Sequence, residues 1–195
     1  MKRANEQFQM LEEQLVEKGY SKKDVTLSSG KATILGLLYA FPLVAISVLC
    51  YRFLLFDRVK FSGTVGISFY AMFIAIIVVS VVIHEVLHGI GWIVSSGKGW
   101  DIVRFNISAL TPSCACTVPL PRKAYLIGVL TPITVLGIFC ILFLFIYPSD
   151  VSFLTAIVNF IAAGADLLIA SNVLKENDVL IVDHPAEPGY IAYVK

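Results

Sequence analysis

Charge is scarce in this chain. Of its 195 residues only 15% are Asp, Glu, Lys or Arg, and 57% are hydrophobic. The mean hydropathy is +0.82. Soluble domains carry about 25% charged residues, so the composition excludes an ordinary soluble domain and indicates an integral membrane protein. The formal net charge is +1, and no basic patch with interleaved aromatics marks a nucleic-acid surface. Cysteine is too sparse for a disulfide framework. Cys50 and Cys140 fall in apolar runs, where a thiol packs as a small apolar group. Cys114 and Cys116 are too close in sequence for an ordinary structural disulfide. They are either plain small residues on a strand or two thiolates available to a metal. Repeats and low-complexity tracts are absent. No signal peptide is expected, because the first apolar run starts too late and is too long. Ser47-Val48-Leu49-Cys50 also fails as a lipoprotein cleavage site, since Leu49 is too large for the position before the cysteine.

Histidine is rarer still, with three in the chain, and two of them stand in His84-Glu85-Val86-Leu87-His88. This HExxH pattern lies within an apolar run, Ile67 to Val94, that otherwise carries no charge. Residues i and i+4 of a helix lie one above the other on one face. His84 and His88 can therefore hold one metal ion between two imidazoles, with Glu85 beside it to take a proton from water. The alternative is a buried histidine pair hydrogen-bonded to its neighbours. Three ionisable side chains in a run of membrane length are costly without a function.

Four apolar spans are predicted, each near the ~20 residues a bilayer requires: Ala32 to Tyr51, one within Ser62 to Val94, Ala124 to Tyr147, and Val151 to Leu174. Pro42 and Pro132 lie inside spans and can kink them. The expected fold is an all-α membrane protein of four transmembrane helices with a small β-hairpin-like loop between the second and third. The hairpin rests on Val103, Phe105, Ile107 and Ala109 alternating with polar residues, a break at Thr111-Pro112-Ser113, and a return over Cys114 to Val118. It is either a plain surface feature or an edge that pairs with an extended substrate segment. Residues 1–31 form an N-terminal segment with a short amphipathic helix (Phe8, Leu11, Leu15) stopped near Gly19. Residues 32–175 form the four-span domain. Residues 176–195 form a tail with strand candidates at Val179 to Val182 and Gly189 to Val194.

Lys and Arg set the orientation. The N-terminal segment has six, the second loop four and the tail two, against three in the first loop and none in the third. Both termini are therefore expected in the cytoplasm of a multi-pass cell-membrane protein. A catalytic zinc site takes three protein ligands and a water. Within the spans the only acidic residues are Glu85 and Asp166. Val86 and Asp166 each lie nine residues before the polar end of two parallel spans, hence ~13 Å from the same membrane face at ~1.5 Å per residue. This match favours Asp166 as the third ligand; His184 in the tail is the rival and Glu187 a remoter one. Asn159, two helical turns before Asp166, is either a substrate contact or a helix–helix hydrogen bond.

HEVLHG, the cysteine-bearing hairpin, Gly164-Ala165-Asp166 in the last span and Asp183-His184-Pro185 in the tail together resemble a bacterial family of membrane zincin peptidases. More distantly the pattern is similar to the site-2 class of intramembrane zinc proteases. The resemblance implies His84, His88 and Asp166 as Zn²⁺ ligands and Glu85 as catalytic base. Site-2 proteases usually carry a proline between the asparagine and the aspartate and a glycine after the aspartate; here Ile161-Ala162-Ala163 and Leu167 occupy those regions, and no PDZ-like segment is present. The expected activity is peptide-bond hydrolysis by a membrane-embedded zinc metallopeptidase, acting on a peptide or membrane-protein substrate. The competing expectation is a non-catalytic membrane metal protein with a structural, four-ligand site. A metal-ion transporter is a third, weaker fit, because the polar groups gather at one level instead of lining a path.

Overall fold

A computed structural model describes residues 2–58, 66–108 and 111–195. Among these residues the chain forms six α-helices and six strands. Four helical segments are long and apolar enough to cross a membrane: Ser29–Leu55, Ile67–Ser96, Arg122–Ile146 and Asp150–Val173. They coincide with the four runs read from the sequence. The first is α2 (Ser29–Cys50) extended by a π-helical turn, and the second is α3 (Ile67–Ser96). Gly97 ends α3 in the left-handed conformation at φ 68, returning its N–H to the Ile93 carbonyl, a position where glycine has no Cβ penalty. The third is α4 (Arg122–Ile146). The fourth is two helices, α5 (Asp150–Ala162) and α6 (Gly164–Val173). Ser149 caps α5 in a reciprocal capping box with Ser152.

α3 packs on α4, and α2 packs on α5 and α6. The join between α5 and α6 is set by a close approach. A Cβ on Gly164 would overlap the Gly36 carbonyl of α2, so only glycine lets the two backbones touch there. Ala163, between the two helices, has ψ −7, well short of the helical value near −42°. The outward faces of the first three segments are apolar, with Phe41, Ile67, Ile74, Val94 and Ile146 each more than half exposed.

The fold is not all-α, and this corrects the expectation from sequence. A four-stranded antiparallel sheet has the order β1 (Ser21–Thr26), β6 (Gly189–Val194), β5 (Val179–Asp183), β4 (Leu120–Pro121). The two tail strands were legible from their apolar residues. β1 was not, because Ser21-Lys22-Lys23-Asp24 is polar and exposed and joins the sheet through its backbone pairing with β6. The amphipathic α1 (Lys2–Glu17) lies on this sheet, with Leu15 buried against Val182, Ile191 and Tyr193. The sheet also closes the end of the bundle: Ile181 and Tyr190 share one core with Trp92, Tyr125 and Val173. Lys23 reaches Glu176 at 2.7 Å, and Arg122 donates to the Glu176 carbonyl. The N-terminal segment, the start of α4 and the tail thus lie at one end of the bundle.

The hairpin is present as β2 (Val103–Ser108) and β3 (Thr111–Cys116). The expected break at Thr111-Pro112-Ser113 is instead the first half of β3. The amides of Cys114 and Cys116 point away from β2, towards Glu85 and Asp183. By alternation Pro112 shares that outward side, so its missing N–H removes no ladder bond. The expected strand position Ala109 lies outside the described residues.

Candidate metal centre

His84 and His88 are buried on the inward face of α3, with ring centroids 4.9 Å apart. Asp166, buried on α6, sets its carboxylate between them. Its Oδ2 is 3.0 Å from His84 Nε2 and its Oδ1 is 3.3 Å from His88 Nε2. One ligand atom from each of the three residues lies within 4.8 Å of the others. The level match read from sequence is thus realised as a contact between α3 and the second half of the fourth segment. Asp166 stands in the first turn of α6, immediately after the break that Gly164 permits.

These atoms fit a metal ion. His88 Nδ1 lies 3.0 Å from the Gly128 carbonyl. A carbonyl only accepts, so Nδ1 carries the hydrogen, and in the neutral ring Nε2 then presents a lone pair. That lone pair faces a carboxylate oxygen, and Asp166 Oδ2 is buried without a hydrogen-bond partner. Lone pairs facing one another in a buried site are satisfied by a cation between them, a proton or a metal ion, and two imidazoles with a carboxylate are a donor set that suits zinc. Four ligand atoms around zinc at ~2.0–2.1 Å stand about 3.3 Å apart, close to the 3.0 and 3.3 Å between Asp166 and the two imidazoles.

Three side chains on the same face of α3 reach backbone carbonyls of α4. They are His88 to Gly128, Trp92 Nε1 to Tyr125 at 3.1 Å, and Ser95 Oγ to Ala124 at 2.8 Å. Two glycines make the approach possible. A Cβ on Gly91 would meet Thr131 and the Gly128 backbone, and one on Gly128 would overlap the Trp92 indole. Trp92 also stacks on the His88 ring at 5.5 Å between centroids.

Glu85 is turned out of the ligand face and is half-buried, and the backbone N–H of Cys114 on β3 points at its carboxylate. Gly89 lets the hairpin lie close, since a Cβ there would press on Trp100 and Val103. The other sequence candidates lie elsewhere. His184 sits in the turn between β5 and β6, its Nδ1 accepting from the Glu187 N–H at 2.8 Å and its ring against Phe8. Among the described residues, neither it nor Glu187, Cys114 or Cys116 belongs to a group able to hold an ion. Burial first, and then Asp183, pushes the Cys116 thiol up to about 12. Burial first, and then Glu85 and Asp183, also raises Cys114, so both are neutral thiols. Asn159 donates to the Thr155 carbonyl at 2.8 Å and to Ser80 Oγ at 3.3 Å, tying α5 to α3.

Sequence reading missed Tyr125 and Asp183. Asp183 Oδ2 accepts the Cys116 N–H at 2.6 Å, and its Oδ1 accepts the Tyr125 hydroxyl. This aspartate fastens the tail sheet to the hairpin that flanks Glu85. Its signal is Asp183-His184-Pro185, in which the aspartate and not the histidine reaches the hairpin and α4.

A largely helical bundle that buries two imidazoles at i and i+4 with a carboxylate can hold a metal ion. A family model described as "Putative zincin peptidase" matches residues 77–180, more than half of the chain, and the protein belongs to that family. Zincins are zinc proteins, so the family implies zinc, and the buried His84, His88 and Asp166 group can hold the ion. No curated protein and no solved structure matches the chain.

Proposed function

We propose that this protein is a membrane-embedded zinc peptidase in which His84, His88 and Asp166 hold the ion and Glu85 is the general base. The observation that carries the reading is the convergence of exactly that ligand set, from two segments of membrane-crossing length, with Glu85 adjacent and facing the hairpin. When bound, zinc supplies a Lewis acid that polarises a peptide carbonyl and lowers the pKa of water towards ~7. Glu85 accepts a proton from the attacking water and returns it to the leaving amine nitrogen. His88 is held in one tautomer by Gly128, and Asp166 supplies the negative charge. Among the described residues three side chains converge, and no fourth His, Cys, Asp or Glu joins them. A structural site would be closed by a fourth protein ligand, so the geometry favours the enzyme over the non-catalytic alternative.

The substrate is placed on the side of the hairpin beside Glu85. A cavity of about 930 Å³ opens next to it, lined by Asn106, Ser113, Cys114, Thr117 and Asp183 among others. The polar end of the bundle, holding both the N-terminal strand and the tail, faces the cytoplasm by the distribution of Lys and Arg. The likeness to site-2 proteases rests on the same ligand order, His84, His88, then Asp166 two segments later.

The test is Glu85→Gln in the purified full-length protein in detergent, with an unfolded protein such as casein as substrate. Zinc content should stay at wild-type level, and hydrolysis should fall by about 10²–10⁴-fold, the usual contribution of a general base. A variant that cleaves as wild type would refute the mechanism.

A further inference from the structure

Helix α4 carries Pro132 fully buried in its interior. An α-helical carbonyl at position i bonds the N–H at i+4, and proline has no N–H. The residue four before Pro132 is Gly128. Of the three α4 carbonyls reached from α3, Ala124 and Tyr125 have Gly128 and Val129 four positions on, each with an N–H to give. Gly128 alone has none. This is the carbonyl that lies 3.0 Å from His88 Nδ1.

We infer that Pro132 is a positioning residue for the metal centre: by leaving the Gly128 carbonyl without a helical donor, it reserves that oxygen for His88 Nδ1 and so fixes Nε2 as the atom facing Asp166. The inference rests on the zinc site proposed above. A metal-bound histidine whose second nitrogen is held by a carbonyl has its tautomer and ring plane set in advance. Glycine at 128 serves the same end, because any side chain there would collide with Trp92 and push α3 away. Proline is unfavourable inside a helix, and the buried acceptor it creates is met by His88 Nδ1.

The experiment uses full-length protein in detergent. Zinc affinity is measured by competition with a chromophoric chelator, and the His88 tautomer is read from ¹⁵N-histidine resonances of the zinc-free protein. In wild type, His88 Nδ1 should carry a hydrogen; finding Nδ1 without one overturns the inference without any variant. Pro132→Ala restores an N–H that competes for the Gly128 carbonyl. It should keep the helical circular dichroism, mix the His88 tautomers and weaken zinc binding by about 10-fold, the lower end of what such supporting contacts contribute. Affinity within about two-fold of wild type with an unchanged tautomer refutes it. Pro42→Ala makes the same chemical change in α2, away from His88, and should leave zinc affinity unchanged. An equal loss there would assign the effect to helix stiffness and overturn the role of the carbonyl. His88→Ala tests the underlying site separately: zinc binding at wild-type affinity in that variant would remove the zinc site itself, whatever Pro132 does.

Discussion

Asp183 makes the fold sensitive to pH in a calculable way. Burial, opposed by the Tyr125 hydroxyl and the Cys116 N–H, raises its carboxyl from an ordinary 3.8 to about 6. The neighbouring groups are Tyr125 on α4, Cys116 on β3 and, further off, His88 and Asp166. A carboxyl whose pKa is raised in the folded state holds its proton more tightly there than in the unfolded chain. Its contribution is complete below pH ~4, where both states are protonated, and is lost as pH rises through the folded value. Each pKa unit is worth ~1.36 kcal/mol, so the shift corresponds to about 3 kcal/mol in all, of which about 2 kcal/mol falls between pH 4.5 and 7.5. Asp183→Asn cannot ionise and keeps one acceptor for the Cys116 N–H or the Tyr125 hydroxyl. Melting of the two metal-free proteins in detergent should show the variant gaining on wild type as pH rises. At about 2–4 °C per kcal/mol for a chain of this size, the relative gain from pH 4.5 to 7.5 is roughly 4–8 °C. Parallel melting curves for wild type and variant across that range would show that the carboxylate is not tied down as described.

Two further outcomes follow from the site. Asp166→Ala removes one of the three proposed ligands and should lower zinc affinity by roughly 100-fold or more, while His184→Ala should leave it unchanged; full zinc occupancy in the aspartate variant, measured by elemental analysis, would return the third-ligand role to the tail. Asn159→Ala should cost about 1 kcal/mol of thermal stability through the lost bonds to Ser80 and Thr155 with KM unchanged, whereas a raised KM at wild-type stability would make this residue a substrate contact.

The metal motif and the four apolar spans were legible in the amino-acid sequence because both are local. Two histidines at i and i+4 share a helix face wherever the helix lies, and twenty apolar residues are long enough to span a bilayer whatever packs beside them. Even Asp166 could be paired with the motif by counting rise along two parallel helices. What the sequence could not supply depends on backbone atoms meeting across the fold. The polar β1 pairs through its main chain, with no side-chain periodicity to announce it, and Pro112 stands in a strand because its missing donor happens to face outward. The Gly128 carbonyl became the acceptor for His88 only once Gly91 and Gly128 let α3 and α4 touch. Asp183 was visible as a letter, but whether it pointed to water or to Tyr125 was decided by the sheet that closes the bundle. The sequence thus determined which residues could bind an ion; tertiary packing decided the hydrogen-bond partner of His88, the approach of Asp166 and the strand set beside Glu85, because those depend on distances between segments that are far apart along the chain.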